Sequence, residues 1–136
     1  MEGQDTRLWV IHANLAEIDP VCVEISDWLA QLMLQDYQFA LEIIAREALC
    51  NAILHGAQQD SSQPVSCELQ ITPERICLTV TDPGPGFDWQ ARLHAGPPDV
   101  SAEHGRGLLI YQLYADEVKF SSSGNRVELH MQLHSK

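Results

Sequence analysis

Three polar side chains recur at spacing four in the stretch Glu47-Ala-Leu-Cys-Asn51-Ala-Ile-Leu-His55-Gly56. On a helix, positions i, i+4 and i+8 form one stripe. The neighbours Ile43, Ile44, Leu49, Ile53 and Leu54 are apolar and are expected to be buried. A carboxylate beside that much apolar surface is costly to desolvate unless something pairs with it. Two readings follow. The stripe is a polar helix face whose Asn51 hydrogen-bonds a neighbouring strand. Alternatively, the Asn51 oxygen is a hard ligand suited to Mg²⁺, and Glu47, one turn earlier, accepts a proton from a nucleophile.

A second candidate is Val80-Thr81-Asp82-Pro83-Gly84-Pro85-Gly86-Phe87-Asp88. It places an acid at the end of an apolar strand, followed by glycines that let backbone approach a ligand closely. Asp82 there can accept from an exocyclic amine such as that of adenine, or can simply cap a Pro-Gly turn. A third is Gly105-Arg106-Gly107 ahead of a helix. Free amides and the positive helix end suit a phosphate, and Arg106 adds a fork of donors. A lone Gly-x-Gly is weakly specific.

Composition narrows the field. The chain has 136 residues, 45% hydrophobic and 20% charged, which suits one globular domain spanning 1–136. Its net charge of -11 leaves no basic patch to neutralise phosphates, arguing against nucleic-acid and anionic-membrane partners. One small nucleotide needs only a local favourable field. The lysines are Lys119 and Lys136, neither in a Gly-rich loop. A Walker-A loop and a eukaryotic-type kinase core are thereby excluded. HExxH, GxSxG and CxxC do not occur. The opening residues, including Glu2 and Asp5, do not read as a signal peptide. No apolar run approaches the ~18 residues of a membrane span. The expectation is a cytoplasmic chain with Cys22, Cys50, Cys67 and Cys77 reduced. The histidines lack metal-ligand spacing. Arg46 and Glu42 read as a surface pair at i, i+4.

The elements that must position these residues are legible as patterns. Arg7 to Ala13 reads as a short strand. Asp19-Pro20 starts a helix that runs through Leu32, with Asp19 as its cap. Asp36 caps a second helix from Tyr37 to His55, which Gly56 stops. Val65 to Ile71 and Ile76 to Thr81 alternate around a turn at Thr72-Pro73-Glu74-Arg75. That alternation puts Cys67 and Cys77 on opposite faces, too divergent to bridge. Asp82 to Gly107 is a long Gly- and Pro-rich loop, interrupted by a short helix near Trp89 to Leu93. Leu108 to Tyr114 is a helix beginning at Gly105-Arg106-Gly107. Strands at Val118 to Phe120 and Val127 to Leu133 follow. This order predicts an α+β two-layer sandwich with a mixed, mainly antiparallel sheet and helices on one face.

Together, Glu47-x-x-x-Asn51 with His55-Gly56, Asp82-x-Gly84-x-Gly86-Phe87 and Gly105-Arg106-Gly107-Leu108 resemble the N, G1 and G2 boxes of the GHKL (Bergerat-fold) ATPases. Within that superfamily the short chain looks like the anti-sigma-factor serine/threonine kinases, over nearly its whole length. The resemblance implies that Glu47 is the general base for a serine or threonine hydroxyl. It implies that Asn51 holds Mg²⁺ on the phosphates of ATP. Asp82 would read the adenine amine, with Gly84 and Gly86 letting backbone pass beside the nucleotide. Residues from about 94 to 107 would be the ATP lid, closing with Gly105, Arg106, Gly107 and Leu108 at the phosphates. The implied substrate is a STAS-domain anti-anti-sigma protein and the other implied partner is a sigma factor. Kinases of this type are often homodimers, so the resemblance extends to that state too. The alternative it leaves open is a non-catalytic, nucleotide-binding anti-sigma factor or scaffold that acts by sequestration.

Overall fold

The computed structural model describes residues 5–58, 60–84, 103–123 and 125–134, with side chains left aside for 103–107. Five strands form one sheet: β1 (Asp5–His12), β2 (Pro64–Ile71), β3 (Arg75–Thr81), β4 (Glu117–Phe120) and β5 (Arg126–Gln132). Their spatial order is β1-β2-β3-β5-β4. A mixed, mainly antiparallel sheet is the expectation, and all four pairings among the described residues are antiparallel. The remainder agrees with an α+β sandwich of the GHKL type. Among the described residues three helices complete it: α1 (Ile18–Gln31), α2 (Gln38–Asn51) and α3 (Glu103–Tyr114).

Alternation decides which face of the sheet is buried. Val65, Cys67, Leu69 and Ile71 of β2 point into the core with Ile76, Leu78 and Val80 of β3 and Val127, Leu129 and Met131 of β5. The helices supply Ile25 and Leu29, Leu41, Ile44 and Leu49, and Leu108 and Tyr111 to the same core. In β1 the register sets Trp9 opposite Cys67 and Ile11 opposite Val65. Trp9 and Ile11 therefore face the helices, whereas Leu8 and Val10 stand 59% and 63% exposed on the reverse face. Arg7 shares the inner side and lies 4.3 Å from the centre of the Trp28 ring on α1, a cation–π contact.

Two helix starts differ from the sequence expectation. Asn14, not Asp19, supplies a cap: its Oδ1 accepts from the Ala16 amide at 2.9 Å, in a 3₁₀ turn preceding α1. Asp19 instead meets Arg46 of α2 at 2.6 Å. Arg46 also donates to Glu42 at 3.0 Å, the expected i, i+4 surface pair, so one guanidinium serves that pair and ties α1 to α2. Asp36 caps nothing; it lies in the 3₁₀ turn Gln35–Tyr37, and α2 begins behind Tyr37 without a side-chain cap. Packing of Leu41, Ile44 and Leu49 fixes this helix in place of a local signal.

α3 begins at Glu103, so Gly105, Arg106 and Gly107 lie inside its first turns rather than ahead of it. Glycine is a poor helix former. The buried Leu108 and Tyr111, one turn apart, anchor the helix strongly enough to override that preference. The short helix expected near Trp89 to Leu93 lies outside the described residues. Cys67 and Cys77, on opposed faces of the sheet, form no disulfide, as expected. Burial pushes the Cys67 thiol up to about 12, which leaves it unreactive at neutral pH.

The face assignment is directly testable. Leu78→Ala opens a cavity under the central strand and should cost about 2–5 kcal/mol. Leu8→Ala on the exposed face should change stability by less than about 0.5 kcal/mol. Denaturant titration of both variants measures the contrast.

Candidate functional site

α2 does not end at Gly56 as an ordinary helix would. At Ala52–Gly56 the coil widens to a π turn, closed by the Ala57 amide on the Ala52 carbonyl at 2.8 Å. Such turns are costly and frequently mark functional sites. The widening takes His55 out of the stripe that Glu47 and Asn51 share, because i+4 periodicity fails across it. Ile44, Leu49 and Ile53 are fully buried, and Ile43 and Leu54 half-buried.

Gly56 has a different job from stopping a helix. A Cβ there would overlap the carboxyl group of Asp82. A Cβ on Gly84 would overlap the Gly56 carbonyl oxygen. The end of α2 and the loop after β3 thus meet at backbone distance, which only glycine permits. Asp82 is held from three directions. Its Oδ1 accepts from the Gly84 amide at 2.7 Å. Its own amide donates to the Asn125 carbonyl at 3.0 Å. Its carbonyl accepts from Asn125 Nδ2 at 3.1 Å. Asn125 Oδ1 in turn accepts from Ser123 Oγ at 2.8 Å.

These elements enclose one cavity. Its lining includes Asn51 and Ala48 of α2, Val80 and Asp82 at the end of β3, Leu108 and Tyr111 of α3, and Phe120 and Val127. The structure therefore brings Asn51, Asp82 and Leu108 together, with Gly84 beside Asp82. Glu47 lies one turn from Asn51, half-buried, where its charge acts on Tyr111. Gly105, Arg106 and Gly107 occupy the first turns of α3, ahead of Leu108. Gly86 and most of the stretch expected to be a lid, residues 94–102, lie outside the described residues.

Two residues of the site carry no motif that marks them. Tyr111 is buried, and its hydroxyl accepts from Asn51 Nδ2 at 3.3 Å. Burial pushes its phenol upward, so it stays neutral and donates or accepts without ionising. In the sequence it is one more large residue on a helix face. Asn125 reads as a turn residue, and only the return of β5 beside β3 shows that it clamps Asp82.

Burial also holds the Asp82 carboxyl above its ordinary value, opposed by the Gly84 amide. The folded chain therefore binds this proton more tightly than the unfolded chain does. That contribution to stability is present at low pH and is lost as pH rises from 3.8 through the folded value. Asp82→Asn keeps an acceptor oxygen for Gly84. It should melt higher than the wild type at neutral pH and no higher below pH 3.8. Calorimetric melting at the two pH values checks this.

The sequence matches the histidine kinase-like ATPase domain over residues 11–132. It is 28% identical over 120 residues to the anti-sigma F factor of Clostridium perfringens strain SM101, covering 85% of this chain and 76% of the relative. It is 29% identical over 126 residues to the anti-sigma F factor of Anoxybacillus flavithermus, covering 88% and 77%. It is also 31% identical over 86 residues to the serine-protein kinase RsbW of Bacillus subtilis strain 168, covering 58% and 54%. With a match that takes in β2 to β5 and the three described helices, the chain belongs to the histidine kinase-like ATPase domain family.

Proposed function

We propose that this chain is an Mg-ATP-dependent serine/threonine protein kinase and anti-sigma regulatory factor, acting on a STAS-domain anti-anti-sigma protein. The observation that carries the reading is the meeting of α2 with the end of β3 at Gly56, which sets Asn51 and Asp82 in one cavity. Family membership and relatives named anti-sigma F factor and serine-protein kinase support it.

Each side chain has a defined task in this reading. Asp82, fixed by Gly84 and Asn125, accepts from the adenine amine. Gly84 and Gly86 let the backbone pass beside the nucleotide. Gly105, Arg106, Gly107 and Leu108 close on the phosphates from the start of α3, where helix amides and the macrodipole favour negative charge. Asn51 spends its Nδ2 on Tyr111, which leaves its amide oxygen as the hard donor that suits Mg²⁺. Bound there, Mg²⁺ would neutralise charge on the phosphates. Glu47 takes the proton of the substrate hydroxyl as that oxygen attacks the terminal phosphorus, and ADP departs. The second reading, sequestration of a sigma factor without turnover, draws on the name anti-sigma F factor that several relatives carry.

Incubation with labelled Mg-ATP and the matched STAS-domain protein separates the two. Phosphoserine or phosphothreonine on that protein is the expected product. Glu47→Ala should lower transfer by about 10²-fold or more while ATP still binds. Asn51→Ala and Asp82→Asn should weaken nucleotide binding itself, read by calorimetric titration. Wild-type transfer in Glu47→Ala would remove its role as base. A stoichiometric partner complex with no phosphorylated product would establish sequestration.

A further inference from the structure

The reverse face of the sheet carries a cluster that the proposed kinase chemistry does not use. Cys77 of β3 sits directly opposite His130 of β5, with Glu128 two residues earlier on the same face. This face is turned away from the helices, and Leu8 and Val10 on it are largely exposed. Yet Cys77 is only 8% exposed and His130 6%. Cys77 Sγ lies 3.7 Å from His130 Nε2. Nε2 lies 3.3 Å from Glu128 Oε1. All three ligating atoms fall within 4.8 Å of one another.

Hydrogen bonding leaves one atom of this group, His130 Nδ1, without a partner among the described residues. A neutral imidazole nitrogen either carries a proton or offers a lone pair. If Nε2 carries the proton and gives it to Glu128, it offers nothing to an S–H. If Nε2 accepts from the thiol, it turns its lone pair on a carboxylate oxygen. A doubly protonated ring leaves Nδ1–H buried, and Nδ1 has no partner among the described residues. The thiol can also donate to Thr79 Oγ1 at 3.8 Å, so the ring nitrogen left unmatched in each state is Nδ1.

We propose that Cys77, Glu128 and His130 bind a zinc ion, with water in the fourth position. A divalent cation accepts lone pairs from sulfur, nitrogen and oxygen together, and the three ligating atoms lie within 4.8 Å of one another. Bond lengths of about 2.3 Å to sulfur and 2.0–2.2 Å to nitrogen and oxygen put tetrahedral ligand atoms about 3.3–3.6 Å apart. The observed 3.7 and 3.3 Å are close to that spacing. A thiolate–imidazole–carboxylate set is too soft for Mg²⁺ and selects zinc. Thr79 Oγ1, 3.8 Å from Sγ, is placed to donate to the thiolate. Burial pushes the Cys77 thiol up, a penalty that the cation's charge offsets. The site is distinct from the Asn51 cavity, which lies on the opposite side of the same two strands.

The test uses the untagged full chain, freed of metal by a chelator and titrated with Co²⁺. One equivalent should produce the thiolate-to-cobalt charge-transfer band and the visible bands of tetrahedral cobalt, and Zn²⁺ should displace them. Cys77→Ser should abolish the charge-transfer band. His130→Gln and Glu128→Gln should weaken Co²⁺ binding by more than about tenfold, whereas Cys50→Ala should leave the titration unchanged. Thermal melting verifies that each variant is folded. If Cys77→Ser does not fold, Glu128→Gln, at a one-third exposed position, decides the matter. Absence of the band in the wild type, its survival in Cys77→Ser, or unchanged affinity in Glu128→Gln overturns the assignment.

Discussion

The contact on which the rest of the site depends is the close approach of Gly56 to the Asp82 carboxyl and to the backbone of Gly84. The end of α2 and the end of β3 belong to different layers, and a side chain at Gly56 would force them apart. Their approach turns three local features into one cavity: the Glu47–Asn51 stripe, the acid after an apolar strand, and the helix after the glycines. The π turn at Ala52–Gly56 delivers Gly56 there, since an unbroken α-helical turn would send the chain end in another direction. Ile53, fully buried within that turn, packs it into the core.

Asp82 shows how a site departs from what stability alone would select. A half-buried carboxylate costs free energy, and the Gly84 amide returns only part of it. The clamp from Asn125 fixes its position without neutralising its charge. Tyr111 plays the corresponding part for Asn51, orienting the amide while remaining neutral. Such local penalties are the expected mark of residues kept for binding rather than for folding.

The two faces of the sheet divide the chemistry. The inner face is a close-packed apolar surface on which three helices rest, and the cavity opens at its edge. The reverse face is mostly solvated, apart from the buried group of Cys77, Thr79 and His130. β3 and β5 contribute to both, with Val80 and Val127 facing the cavity and Cys77 and His130 facing away. A change in how these two strands pair is therefore felt on both sides.

The sequence by itself determined the elements and the residue types of the site. Period-2 alternation in Val65 to Ile71 named the buried face without reference to any partner. Spacing four joined Glu47 to Asn51, and the order of the three motifs resembled one superfamily. What it did not determine is everything that depends on contacts between distant segments. Asn14 caps the 3₁₀ turn before α1, while Asp19, inside α1, pairs with Arg46 from another helix. α3 starts at Glu103 because Leu108 and Tyr111 anchor it to a core that local propensity does not describe. Asn125 and Tyr111 join the site, and Cys77 meets His130 across 53 positions, only once the strands pair. Local periodicity records which side of an element is apolar; it holds no information on which distant element will cover that side. That choice is made by packing and by pairing of buried polar groups, and only the tertiary structure decides it.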